Sequence, residues 1–109
     1  MINKQLGKIQ SASFGLGGYQ ECMIGLWLTL GGESWGIQTG DGAWGIERSD
    51  HTKWTEESRL QEAGKAAMKL ASLLWKLKKT DVSDLVGAPV EVTLDGNRLV
   101  EWRLLSEVL

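Results

Sequence analysis

The phrase Trp-Gly-Ile occurs twice, at residues 35–37 and 44–46, in a chain that holds six tryptophans among its 109 residues. No other feature constrains the fold as strongly, because two such phrases so close together predict the paired arms of a β-hairpin. A two-residue turn at Gly40-Asp41, with glycine first as a type II′ turn prefers, pairs each tryptophan with the isoleucine of the other phrase. A three-residue turn would send the two tryptophans to opposite faces of the sheet. The apolar pattern therefore favours the shorter turn.

The apolar run at residues 21–30 extends this hairpin by a preceding strand, and Gly31-Gly32 is expected to form the two-residue turn between them. A further strand is predicted at about residues 6–14, followed by a glycine-rich connection at residues 15–18. The pairs expected at the Gly31-Gly32 turn are Leu28 with Trp35 and Leu26 with Ile37, and the resulting core face holds Leu26, Leu28, Trp35, Ile37, Trp44 and Ile46.

A long helix is predicted from about residue 55 to residue 79. Thr55 is the expected N-cap, and Glu56-Glu57 in the first turn suit the positive end of the helix dipole. The stripe expected to face the sheet is Leu60, Ala63, Ala67, Leu70, Leu74 and Leu77, and the small residues expected to let the helix lie close to it are Ala63, Gly64, Ala67 and Ala71.

Residues 89–94 and 98–105 predict a second hairpin around a three-residue loop at 95–97. The expected pairs are Val92 with Val100 and Val90 with Trp102. A four-strand meander, a long helix and a C-terminal hairpin together predict a single α+β domain over residues 1–109, an antiparallel sheet with the helix packed on one face.

The face opposite the predicted core carries few large side chains. Trp27, Gly36 and Gly45 are expected to form one row there, between a row of Gly25, Gln38 and Ala43 and a row of Thr29, Ser34 and Glu47. Glycine in a strand interior often marks close approach of a ligand or of another backbone. A planar group such as a base could stack on Trp27, but the tryptophan could equally lie across the glycines itself or be covered by a second subunit. The candidate ligand or partner site is Trp27, Gly25, Gly36, Gln38, Gly45, Ser34 and Glu47.

The bulk composition narrows the function classes. A net charge of −2 disfavours direct nucleic-acid binding, and one cysteine with one histidine argues against a zinc site. The opening residues lack the apolar run of a signal peptide, and no stretch reaches the length of a membrane span, so a cytoplasmic location is expected.

No convincing catalytic set is present in the sequence. Residues 49–51 (Ser-Asp-His) contain three triad residue types, but adjacent residues cannot adopt the triad geometry. Cys22 is expected to lie on the same face of its strand as Ile24 and Leu26 and therefore to be a small core residue. The glycines of residues 15–18 are not followed by a helix that could bind an anion. A carboxylate-bound magnesium involving Glu21, Glu33 or Glu47 stays open as the enzymatic alternative.

The chain resembles a set of small uncharacterised single-domain proteins of tailed bacteriophages. The segments that carry the resemblance are FGLGGYQ at 14–20, ER at 47–48, WTEE at 54–57, LVGAPVEVT at 85–93 and WRLLSEVL at 102–109. The resemblance brings no activity and no site residues. It implies a phage product that acts in the cytoplasm of the bacterial host.

The expected function is therefore a non-catalytic phage binding protein without cofactor. It would counter a host defence by sequestering a signalling nucleotide or by blocking a host defence protein, and it is expected to be a homo-oligomer that does not associate with membranes. A small metal-dependent enzyme acting on a nucleotide, or a structural accessory protein of the phage, are the alternatives.

Overall fold

The computed structural model describes residues 2–18, 22–44 and 55–105. Within these ranges it shows the predicted α+β class, a five-stranded antiparallel sheet with one long helix packed against it. The elements in chain order are β1 (Ile2–Gly17), β2 (Met23–Gly31), β3 (Gly36–Trp44), α1 (Glu56–Leu77), a 3-10 turn (Val82–Leu85), β4 (Pro89–Asp95) and β5 (Arg98–Leu104). The order across the sheet is β3-β2-β1-β4-β5, so the first strand of the chain lies at the centre.

Strand β1 is longer than predicted because it serves both hairpins. Its first half pairs with β4 and its second half pairs with β2. The glycine-rich connection predicted at residues 15–18 is wrong for its first three residues, since β1 continues to Gly17. An irregularity in the pairing between Ile9 and Ser11 changes the face to which alternate side chains point. Ile9 and Ala12 therefore both face the core.

The β2–β3 connection differs from the predicted two-residue turn. Gly31 pairs with Gly36, so residues 32–35 form the connection, and the Gly32 N–H donates to the Trp35 carbonyl at 3.0 Å. The longer connection moves β3 along β2, and Leu28 lies opposite Thr39 instead of Trp35. The displacement is an even number of residues, so the apolar side chains keep their face.

Strand β3 runs without interruption through Gly40-Asp41, so the predicted turn there is wrong. The strand predicted to follow it does not form within the described residues, and the meander has three strands instead of four. The backbone of Trp44 pairs with Met23 rather than with Ile37. The predicted partner of Trp35, Ile46, lies outside the described residues.

Helix α1 begins as predicted. The Thr55 hydroxyl accepts from the Ser58 N–H at 3.0 Å, and the Ser58 hydroxyl accepts from the Thr55 N–H, which closes a capping box. Leu70, Leu74 and Leu77 of the predicted stripe pack partly buried against the core, but the face is rotated from the prediction, since the fully buried residues are Ala66 and Leu73 and Leu60 is 63% exposed. The small residues predicted to lie against the sheet are exposed at Gly64, Ala67 and Ala71, and only Ala63 is partly buried. This helix has two apolar stripes, and spacing alone does not reveal which one meets the sheet.

The C-terminal hairpin turns at Gly96-Asn97, since Asp95 pairs with Arg98, and the predicted three-residue loop is wrong. Gly96 adopts a positive φ of 62°, which a side chain disfavours. An irregularity between Thr93 and Leu94 absorbs one residue of β5. As a result Val92 lies opposite Trp102 and Val90 opposite Leu104, while Val100 is 45% exposed.

The core lies between the inner face of the sheet, α1 and the 3-10 turn. Its buried members are Ile9, Leu26, Leu28, Leu30, Leu73, Leu85, Ala88, Val90, Val92 and Leu104. Trp35 and Ile37 pack against them partly buried, as their predicted face requires, although Trp35 does so from the connection. Across the described ranges, no helix combines the length and the apolar character that crossing a membrane requires.

The sheet curls around α1, as the surroundings of Lys69 show. Its ammonium lies 2.7 Å from the Asp41 carboxylate in β3 and 5.4 Å from the centroid of the Trp102 ring in β5. These are the two edge strands of the sheet. One helical side chain therefore bridges the two edges, and the face that points away from α1 is left to the outside of the curl.

Candidate ligand-binding face

The Trp27 face is the surface of β1, β2 and β3 that points away from α1. Opposing residues in antiparallel strands share a face, so the register defines its rows. From one end to the other these rows are Lys8–Gly31–Gly36, Ser11–Thr29–Gln38, Ser13–Trp27–Gly40, Gly15–Gly25–Gly42 and Gly17–Met23–Trp44. Trp27 lies near the centre of the face, with hydroxyl and amide groups on one side and a row of glycines on the other, and Met23 lies beyond the glycines.

The indole of Trp27 lies across the backbones of both neighbouring strands. Its Nε1 donates to the Gly15 carbonyl in β1 at 2.9 Å. A Cβ atom built on Gly17 would lie 2.7 Å from Cε2, and one built on Gly40 would lie 2.1 Å from Cε3. Both distances are far shorter than ordinary contacts between heavy atoms. The ring thus rests on bare backbone on both sides, and the hydrogen bond fixes its orientation.

The glycines of this face make room for the ring. Gly40 and Gly42 on β3 and Gly17 on β1 are the positions where a side chain would collide with Trp27. The glycines predicted to form this floor, Gly36 and Gly45, do not: a Cβ on Gly36 would meet nothing closer than 3.8 Å, and Gly45 lies outside the described residues. The small-residue floor therefore has a compensating partner in Trp27 itself.

A shallow cavity of about 570 Å³ opens over this surface. That volume is within the range of small-molecule sites. Trp27 contributes the aromatic part of the lining, and the polar side chains of the Trp27 face that line the cavity are Ser11, Ser13, Thr29 and Gln38. No ionisable side chain is among the residues that line the cavity, which gives it neutral donors and acceptors beside one ring.

The predicted site residues divide into three groups. Trp27 and Gln38 line the cavity. Gly25 shares the face but lies opposite Gly42, where a Cβ would come within 2.1 Å of the Asp41 carbonyl oxygen, so its role is close packing of β2 on β3.

The remaining predicted residues lie away from the cavity or outside the described residues. Ser34 is exposed in the β2–β3 connection, and Gly36 lies opposite Gly31, where the amide of Gln10 covers the backbone. Glu47 lies outside the described residues, as does Gly45. The predicted Ala43 faces the core and is buried.

Apart from Trp27 and Gln38, the residues that line the cavity were not among the predicted site residues; those on the Trp27 face are Ser11, Ser13, Gly17, Thr29 and Gly40. A signal for them exists. Glycine or serine occupies every second position from Ser11 to Gly17, and glycine occupies every second position from Gly36 to Gly42 except at Gln38. Two strands with bare alternate positions on either side of a strand that carries Trp27 indicate where the ring lies.

A second cavity, of about 480 Å³, lies between α1 and β5 and has the opposite character. Lys69, Lys76 and Arg103 line it together with Trp102. Two of these cations are already engaged, Lys69 with Asp41 and Arg103 with Glu91 at 3.2 Å. No group of three or more histidine, cysteine, aspartate or glutamate side chains that could hold a metal ion occurs in residues 2–18, 22–44 and 55–105.

The catalytic candidates weighed from the sequence fall largely outside the described part of the chain. Residues 49–51, Glu21 and Glu47 are not described, and Glu33 is exposed in the β2–β3 connection. Cys22 is partly buried immediately before β2.

Comparison with known proteins gives no matching family model, no similar curated protein and no similar solved structure.

Proposed function

We propose that this chain is a non-catalytic binding protein, and that its ligand lies on the Trp27 face with a planar group stacked on the indole. One observation carries the proposal: a tryptophan held flat on glycine backbone forms part of a cavity otherwise lined by neutral polar side chains. Stacking on an aromatic side chain contributes about 1–3 kcal/mol per base, and a ring already fixed in place loses little entropy when a ligand binds.

The lining favours a nucleobase or nucleoside as the group next to Trp27. The hydroxyl of Ser13 and the amide of Gln38 each both donate and accept, which suits the mixed edge of a base and the hydroxyls of a sugar. A charged group placed there would lose water without gaining a counter-ion. The phosphates of a nucleotide must therefore lie outside the cavity.

Lys8 is the cation placed to meet such phosphates. The register puts it on the Trp27 face opposite Gly31, four residues along β2 from Trp27, which is about 13 Å of strand. It is exposed, and its flexible stem can reach back along the strand. In this proposal a nucleotide lies along β2, with its base over Trp27 and its phosphates toward Lys8.

The resemblance to small phage proteins supplies a biological setting. A phage protein that binds a nucleotide without altering it would lower the free concentration of a signalling nucleotide in the host cytoplasm. We therefore place the protein among counter-defence factors that act by sequestration. Direct blocking of a host defence protein is the other route, and it makes a different experimental prediction.

The proposal is tested by measuring the binding of a panel of compounds and by identifying any bound compound after it is recovered from the protein. Purified protein is incubated with nucleosides, linear nucleotides and cyclic nucleotides, and the affinity of each is measured by calorimetry. After denaturation the small molecule is identified by mass spectrometry. Sequestration predicts that a bound compound is recovered intact, and an altered product would show that the protein is an enzyme. Binding to a host protein with no affinity for any compound in the panel would contradict the proposal.

Single substitutions in the lining locate the site. Gln38→Ala and Ser13→Ala should each weaken binding by about 2- to 10-fold, the value of one hydrogen bond. Asn3→Ala is the matched control, since it removes a similar exposed amide from the far end of β1. Lys8→Ala should weaken the binding of nucleotides but leave the binding of nucleosides unchanged. Equal effects of all four substitutions would place the ligand elsewhere.

A further inference from the structure

Helix α1 carries a second apolar stripe on its solvent side. We define the exposed stripe as Leu60, Gly64, Ala67, Met68, Ala71 and Trp75. At about 100° per residue, these positions cluster on the side of the helix away from Ala66 and Leu73, the two residues that α1 buries. Three large members of the stripe face solvent: Leu60 is 63%, Met68 68% and Trp75 86% exposed. A contiguous apolar patch of this kind marks an interaction surface.

We propose that the exposed stripe is a homodimer interface, in which the α1 helices of two copies pack antiparallel about a two-fold axis between Ala67 and Met68. A two-fold interface must be complementary to itself, because each contact occurs twice. About this axis the facing residues are Trp75 with Leu60, Ala71 with Gly64, Met68 with Ala67, Lys78 with Glu57 and Lys79 with Glu56.

The side-chain sizes along this register fit together. The largest side chain of the stripe, Trp75, meets an exposed leucine at the opposite end of the partner helix. Between the axis and each end, Gly64 faces Ala71, and a Cβ built on Gly64 meets no atom within 4 Å. Small residues at these positions let two helices approach to the 8–10 Å separation of packed helices.

The charges fit the same register. The first turn of α1 is acidic at Glu56 and Glu57, and its last residue, Leu77, is followed by basic Lys78, the C-cap, and Lys79. An antiparallel pair places each acidic end beside a basic end of the other copy, and the two helix dipoles also oppose each other. A parallel pair would place like charges together at both ends. Charge complementarity therefore selects a second copy of this chain, in the antiparallel orientation.

The expected dimer is reversible. Its contact is confined to one helix of 22 residues per chain, about 33 Å long and roughly 10 Å wide, and this footprint is smaller than the roughly 800 Å² per partner of a standard stable interface. The surface lies on α1, apart from the Trp27 face. Dimerisation is therefore a property that stands independently of ligand binding.

The first experiment measures the oligomeric state over a wide concentration range by sedimentation velocity. The parent should pass from monomer to dimer as its concentration rises. Ala71→Glu places a charge in the stripe and should weaken the dimer at least 10-fold. Ser72→Glu is the matched control, because it introduces the same residue at the next exposed position, about 100° around the helix. A parent that stays monomeric at every concentration, or equal weakening by both variants, would overturn the proposal.

Cysteine cross-linking then tests the orientation, in a Cys22→Ser background. Met68→Cys lies next to the proposed axis and should form an intermolecular disulfide under mild oxidation. Trp75→Cys should not, because two copies of residue 75 lie about 22 Å apart along an antiparallel pair, beyond the roughly 7 Å limit for Cα atoms joined by a disulfide. Cross-linking of both variants would indicate a parallel pair, and cross-linking of neither would remove α1 from the interface.

Discussion

Substitution of Gly40 by alanine tests the packing that defines the Trp27 face. A Cβ atom there would lie 2.1 Å from Cε3 of Trp27, whereas ordinary contact begins at 3.4 Å, so the ring must move by more than an ångström. Movement of the ring away from β3 strains the hydrogen bond from Nε1 to the Gly15 carbonyl on the other side. We therefore expect Gly40→Ala to destabilise the fold.

The magnitude follows from three contributions. Overpacking a well-fitted site costs about 1–3 kcal/mol, and a lost hydrogen bond costs about 0.5–1.5 kcal/mol. Replacing glycine by alanine in a strand returns roughly 0.5–1 kcal/mol. The net loss for Gly40→Ala is therefore about 0.5–4 kcal/mol, centred on roughly 2 kcal/mol. Gly36→Ala, whose new Cβ meets nothing closer than 3.8 Å, should be neutral or stabilise by up to about 1 kcal/mol.

Urea unfolding followed by circular dichroism measures these differences. With a urea dependence of about 2 kcal/mol per molar, a 2 kcal/mol loss lowers the unfolding midpoint by roughly 1 M. A double-mutant cycle assigns the cause: in a Trp27→Ala background, Gly40→Ala should cost much less than in the parent, since the tight contact that remains is with the Leu26 carbonyl oxygen at 3.1 Å. Gly25→Ala should stay destabilising in that background, because its Cβ would meet the Asp41 carbonyl oxygen of the backbone. A Gly40→Ala protein as stable as Gly36→Ala would refute the described position of the indole.

Three further predictions concern the rest of the fold. Thr55→Ala removes the N-cap of α1 and should cost about 1 kcal/mol in urea unfolding, whereas Thr55→Ser should be neutral. The hydroxyl and N–H of Ser83 lower the pKa of the Asp81 carboxyl. Because this pKa is lowered in the folded state, the ionised Asp81 carboxyl stabilises the fold at neutral pH, and this stabilisation is lost as the pH falls through the lowered pKa. Asp81→Asn should therefore flatten the acid end of a plot of thermal midpoint against pH. Trp102→Ala should destabilise much more than Val100→Ala in the same unfolding assay, because Trp102 packs against the core and Val100 is exposed; comparable losses would support the three-residue loop after all.

Local chemistry and side-chain alternation made part of this fold predictable. Thr55 and the acidic residues after it mark the start of α1, since few residue types can satisfy the free N–H groups of a first turn. Leu26, Leu28 and Ile37 face the core as the period-two pattern predicts. The pattern succeeds because it fixes the face of each side chain.

Alternation does not fix the pairing of strands. The β2–β3 connection of residues 32–35 displaces β3 by an even number of residues, and the two-residue turn at 96–97 together with the irregularity at Thr93/Leu94 displaces residues 101–104 of β5 by an even number. An even displacement keeps the displaced side chains on their face, so their apolar pattern is the same before and after it. This is why Gly36, and not Gly40, was predicted to lie beside Trp27.

The site was predictable in its centre and not in its surroundings. Trp27 stood out because a large aromatic side chain shared its face with glycines. Ser11 and Ser13 point to the same face as Trp27 because an irregularity near Ile9 changes which alternate residues of β1 face the core. The alternation of apolar and polar residues in the sequence also shifts at this point. On α1, the leucines at 60 and 73 fit two different stripes equally well, and only the packed structure shows which stripe is left exposed.

The measurement closest to the central proposal is a nuclear magnetic resonance titration of the indole N–H signals. Each of the six tryptophans carries one indole N–H, and a Trp27→Phe variant identifies the signal of Trp27. Addition of a nucleoside or nucleotide that binds should move the Trp27 signal strongly, because a base stacked on the ring changes its magnetic environment, and should leave the signal of the distant, exposed Trp75 unchanged. Saturable binding that leaves the Trp27 signal in place, or a panel in which no compound moves it, would contradict the account.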